Sequence, residues 1–158
     1  MDTLVIGCGN ILRGDDAVGP MLVRRMCDRG LPEGTRCGDA GTAGIDVAFM
    51  MRNADELILV DACSTGSEPG SIFELPENEV AHLPTPATID THALRWDHAL
   101  AFGRLLLKEE YPARVTVYLV EGERFVLGAG LSPAVDAAVD RLVDLLIARV
   151  ERGQRGGA

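Results

Sequence analysis

Thr3-Leu4-Val5-Ile6-Gly7-Cys8, running on into Gly9-Asn10-Ile11-Leu12-Arg13-Gly14-Asp15-Asp16, decides the fold of this chain. The first six residues are an apolar run rich in β-formers that ends at glycine, as a buried strand does. From Asp16 to about Cys27 the apolar positions Val18, Met21, Leu22, Val23 and Met26 recur near helical period. Arg24, Arg25, Asp28 and Arg29 supply the polar face of this helix, and Gly30 is placed to stop it. A strand passing through a glycine turn into a helix is how an α/β unit begins.

The rest of the chain repeats that alternation. Strands are expected at 35–39, 56–62 (Glu-Leu-Ile-Leu-Val-Asp-Ala), 71–75 at an edge, and 114–120. Helices are expected at 45–51, at 92–109, and from Ser132-Pro133 through Val150, where serine at N-cap precedes proline at N1. Residues 76–91 hold three prolines and read as a long loop. Residues 1–151 are therefore read as one α/β domain, a twisted, mostly parallel five-stranded sheet with helices on both faces. The glycine-rich tail 152–158 is expected to be disordered.

Composition narrows the function. The chain has 158 residues, with 15 Lys and Arg against 24 Asp and Glu, a net charge of −9. A phosphate-binding surface needs clustered basic residues, so nucleic acid and anionic membrane surfaces are disfavoured. No apolar stretch approaches the ~20 residues that span a bilayer, and residues 1–8 lack the basic start of a secretion signal. Cys8, Cys27, Cys37 and Cys63 form no C-x-x-C pair, which excludes common zinc and thioredoxin-like motifs and leaves ordinary packed thiols. A cytoplasmic monomer is expected.

In an open parallel sheet, ligands bind beyond the C-terminal strand ends, at the point where the strand order reverses. Asp15 and Asp16 follow the first strand, Asp39 the second, Asp61 closes the third, and His92 begins a helix. A dinucleotide reading of Gly7-x-Gly9 fails because the third glycine of the motif would fall on Leu12, and Asp15 and Asp16 would repel a pyrophosphate. Helix capping accounts for one of that aspartate pair and leaves the other for chemistry. Asp61 ends a run of four apolar residues, where a carboxylate must be paired, protonated or on a metal. Two carboxylates and a neutral imidazole suit nickel, zinc, cobalt or manganese and leave coordination positions open. Neither H-E-x-x-H nor G-x-S-x-G occurs, and nothing marks Cys8 as an activated nucleophile.

The block Val5-Ile6-Gly7-Cys8-Gly9-Asn10-Ile11-Leu12, followed by Gly14-Asp15-Asp16-Ala17-Val18-Gly19, closely resembles the opening of the hydrogenase maturation proteases. The resemblance continues through Asp39-Ala40-Gly41-Thr42-Ala43-Gly44, Leu57-Ile58-Leu59-Val60-Asp61-Ala62 and Thr91-His92-Ala93-Leu94, and weakly at 130–135. It implies a five-stranded endopeptidase that trims the C-terminal extension from the large-subunit precursor of a [NiFe]-hydrogenase. Asp16, Asp61 and His92 fall on the family's metal-contacting positions, and Asp16 and Asp39 are the implied catalytic carboxylates. The implied metal is nickel already carried by the precursor, with zinc or cadmium able to substitute in vitro. Asp16 and His92 are expected at the cleft, outside the core. Val120-Glu121-Gly122-Glu123 and Arg95-Trp96 depart from the family pattern. A nucleotide-binding module and a non-cleaving maturation chaperone are the rival readings.

Overall fold

The computed structural model describes residues 1–42, 44–80, 100–101 and 103–156. Strand β1 (Thr3–Cys8) leads through a 3-10 turn (Gly14–Ala17) into helix α1 (Val18–Arg29), which stops at Gly30 as expected. Strand β2 (Thr35–Gly41), helix α2 (Gly44–Met50), strand β3 (Glu56–Cys63) and edge strand β4 (Ile72–Pro76) follow, with a helical turn α3 (Glu77–Val80). Helix α4 is described over residues 100–101 and 103–107, strand β5 spans Arg114–Glu121, and helix α5 spans Pro133–Arg155.

Among the described residues the strand order is β2-β1-β3-β5-β4, with β4 alone running antiparallel. The chain moves from β1 outward to β2, then crosses back to β3 on the other side of β1. The order therefore reverses between β1 and β3, and the crevice above that pair is the natural ligand position.

Alternation along β3 builds two cores. Leu57 and Leu59 join Ile6, Val47, Met51, Leu100 and Val117 on the α2 and α4 face. Ile58 and Val60 join Leu22, Met26, Leu142 and Leu146 on the α1 and α5 face. Each such aliphatic side chain contributes about 1.5–3 kcal/mol on full burial, which explains why β3 reads as a continuous apolar run.

The C-terminus corrects the sequence reading. Residues 152–155, expected to be disordered, form the last turn of α5. Arg152 and Arg155 lie where cations favour the helix C-terminus, and Gln154 donates to the carbonyl of Glu33. The helix ends at Gly156.

Close backbone approach fixes α1 on β1. A Cβ at Gly7 would lie 2.2 Å from the Gly19 carbonyl oxygen, and one at Gly19 would lie 2.2 Å from that of Cys8. Gly19→Ala is therefore expected to cost about 2–3 kcal/mol despite alanine's better helix propensity, because backbone must move to make room. Urea unfolding checks this; a midpoint equal to or above the wild type contradicts it.

Candidate active site

Three of the four residues singled out in the sequence are described. Asp16 lies in the 3-10 turn after β1, and that turn packs against β3. Asp61 lies near the end of β3, one residue beyond Val60, the partner of Gly7 in the β1–β3 register. The two carboxylates thus flank the crevice where the strand order reverses. His92 lies outside the described residues. Among those described, no group of three or more His, Cys, Asp or Glu is arranged to hold a metal ion, so Asp16, Asp39 and Asp61 do not form such a set by themselves.

Asp39 starts from the other side of the sheet. Its register partner is Gly7, whose Cβ position points toward α1, so Asp39 belongs to the α1 face. Asp61 lies one position out of phase, on the face shared by Leu57 and Leu59. Asp39 is exposed, and its Oδ1 accepts from the Gly41 amide at 2.7 Å. A bond within reach of both carboxylates must lie over the end of β1.

Asp16 and Asp61 are only 1% and 4% exposed, so both are less open than the sequence suggests. The reason is local. Loop 9–14 folds back so that the Asn10 amide donates to Asp16 Oδ2 at 2.9 Å, and the Ala62 amide donates to Asp61 Oδ1 at 2.8 Å. The Gly9 amide donates to the Gly41 carbonyl, the Leu12 amide to Asn10 Oδ1 and the Arg13 amide to the Asn10 carbonyl. A phosphate-binding turn needs its amides free, so this loop is built for another purpose.

Asp15 plays a role that neither helix capping nor catalysis describes. It is fully buried, and neither the 3-10 turn nor α1 has a side-chain cap. Its carboxylate accepts from the Glu123, Arg124 and Ser132 amides at 2.7–2.8 Å and from the Ser132 hydroxyl at 2.9 Å. Burial alone would push this carboxyl up, but those donors outweigh it and hold it below the ordinary carboxylate range. Ser132 does occupy the N-cap position of α5, yet its hydroxyl serves Asp15 and caps nothing.

Glu121, within the stretch that departs from the family pattern, has a similar duty. Opposite Cys63 in the sheet, it accepts from the Thr65 amide and hydroxyl, the Gly66 amide and the Cys63 thiol. Burial opposes ionisation here too, and the same donors hold the carboxyl below its ordinary value. The loop after Asp61 is thereby fixed. The available signal was a charge closing a strand, as at Asp61; its partners, 55 or more residues away, had none.

All four cysteines are free. Burial, then the neighbouring Cys27, pushes the Cys37 thiol up to about 12, and burial with Glu121 pushes that of Cys63 higher still. Both are protonated at neutral pH, unlike a poised nucleophile.

The family model for hydrogenase maturation proteases matches residues 20–149. The chain is 34% identical over 150 residues to hydrogenase 2 maturation protease of Escherichia coli (strain K12), with 94% of this chain and 90% of that one aligned. It is 30% identical over 141 residues to hydrogenase expression/formation protein HupD of Rhodobacter capsulatus, covering 87% and 65%. Among solved structures, the hydrogenase maturating endopeptidase HybD from E. coli superposes with a TM-score of 0.83 at 31% identity, covering 97% of this chain and 94% of that one.

Proposed function

The chain belongs to the hydrogenase maturation protease family and is a peptidase, and on that premise we propose that it removes the C-terminal extension of a [NiFe]-hydrogenase large-subunit precursor already loaded with nickel. The observation that carries this reading is the pair of buried carboxylates, Asp16 and Asp61, on either side of the β1–β3 crevice. Buried carboxylates remain ionised only with donors or a cation nearby, and two of them balance a divalent charge. With the His92 imidazole they form a mixed oxygen and nitrogen set that leaves positions for the thiolates of the precursor.

The nickel is substrate cargo, and the peptidase reads it. Asp16, Asp61 and His92 hold it above the crevice and so place the scissile bond; zinc or cadmium serves in its place in vitro. A carbonyl or water polarised there meets Asp39 as the candidate base, across the end of β1. Reading the cargo also explains restraint, since a peptidase with so few recognisable catalytic groups needs a condition on cutting. We place the step in the cytoplasm and assign it to a monomer. Four free thiols suit a reducing compartment, and none of the described helices is long and apolar enough to cross a membrane.

The purified protein is expected to trim nickel-loaded precursor and leave the nickel-free precursor intact, read as a mobility shift on a gel. Equal cleavage of both would remove the nickel handle. Binding of loaded precursor without trimming would mark a non-cleaving chaperone.

A further inference from the structure

Nine large hydrophobic side chains are exposed among the described residues, and four of them crowd two adjoining loops beside the crevice: Ile11 (49%), Leu12 (64%), Val126 (55%) and Leu127 (73%). The geometry points to an apolar lip, formed by loops 10–14 and 124–129, that grips an apolar stretch of the substrate polypeptide next to the bond to be cut. This rests on the peptidase reading above and adds to it the surface and chemistry of recognition.

The lip is pre-organised. The Gly128 amide donates to the Leu12 carbonyl at 2.8 Å, the Gly14 amide to the Ala129 carbonyl at 3.0 Å, and the Arg13 Nε to the Phe125 carbonyl at 3.1 Å. Arg13 and Leu127 pair as an isolated antiparallel bridge, and Asp15 clamps the start of the second loop through the Glu123 and Arg124 amides. Gly14 has a positive φ and its Cβ position lies 2.3 Å from the Arg124 carbonyl oxygen, so the two loops touch backbone to backbone. Apolar side chains held out to water on fixed backbone gain affinity cheaply, because little ordering entropy remains to be lost on binding.

Continuity with the crevice identifies the occupant. The carboxylate of Asp16 holds the Asn10 amide, directly before Ile11 and Leu12. Leu12 is four residues from Asp16, at most roughly 14 Å along an extended chain, the reach of about four substrate residues. A polypeptide presented to Asp16 therefore lies against the lip, and its matching residues are apolar. Covering these side chains with apolar substrate residues removes both surfaces from water, the general driving force of such contacts.

The test compares wild type with Leu12→Asp/Leu127→Asp and with Leu127→Ser, which changes a single exposed side chain. Leu145→Glu serves as control, an exposed leucine (40%) about 20 Å along α5 from the Asp15 clamp at Ser132. Trimming of nickel-loaded precursor is followed against precursor concentration, with circular dichroism for folding and gel filtration for assembly. The double variant is expected to raise KM about 10-fold or more and Leu127→Ser about 3-fold, with kcat little changed and the control unaffected. Unchanged KM in both lip variants, while wild type trims, overturns the lip and leaves the peptidase reading standing. A wild-type dimer that the double variant dissociates overturns it too, since a second copy then covers the patch. Wild type that fails to trim overturns the underlying reading, and the lip with it.

Discussion

Asp16→Asn is expected to slow trimming of nickel-loaded precursor by about 100-fold or more, the loss typical when one pre-organised charge is removed from a reacting centre. The protein should stay folded, because the asparagine carbonyl can still accept from the Asn10 amide that Asp16 Oδ2 holds at 2.9 Å. Alanine would be the poorer probe at a side chain that is 1% exposed, since it leaves that amide without its acceptor. The readouts are single-turnover trimming on a gel and thermal unfolding. Full activity with unchanged melting would strip Asp16 of its assigned contact with the substrate metal. A melting temperature that falls together with activity would recast it as structural.

The adjacent carboxylate should give the opposite phenotype. Asp15→Ala is expected to cost about 3–4 kcal/mol of stability, because it deprives three amides and one hydroxyl of a charged acceptor inside the protein. For a chain of this size that is roughly 10 °C in Tm. The effect should also depend on pH. Asp15 is held below the ordinary carboxylate range in the fold, so its contribution is fully present above the unfolded value, about 3.9. It is lost as pH falls through the lower folded value. The stability gap between wild type and Asp15→Ala should therefore be constant from pH 7 to about 5 and close progressively below about 4. A gap that stays constant into acid, or no gap at neutral pH, would show that the Asp15 network contributes little. The expected acid-sensitive event is loosening of loop 123–132, whose Glu123 and Ser132 amides Asp15 holds.

Asp15 and Asp16 also mark the boundary of what can be read from residues alone. In sequence they are interchangeable: neighbours, acidic, just ahead of a helix. Their roles separate because one side chain meets the amides of residues more than a hundred positions away while the other meets an amide six positions back. No local signal carries the first fact. Glu121 was hidden for the same reason.

The sequence by itself determined the elements and their layering. Alternating apolar runs and helical stripes placed all five strands and the N-terminus of α5 to within a residue or two, and the apolar run of β3 required helices on both faces. It also marked Asp61 near the end of β3, because a charge that closes a buried strand is visible without a structure. Tertiary structure alone decided the strand order, which sets the crevice between β1 and β3. It also decided the register, which puts Asp39 and Asp61 on opposite faces, and the contact between loops 10–14 and 124–129. The physical reason is that periodicity and capping are properties of neighbours along the chain. Pairing depends on which distant backbone groups and apolar faces satisfy one another, and that is settled only when the whole sheet closes its hydrogen bonds.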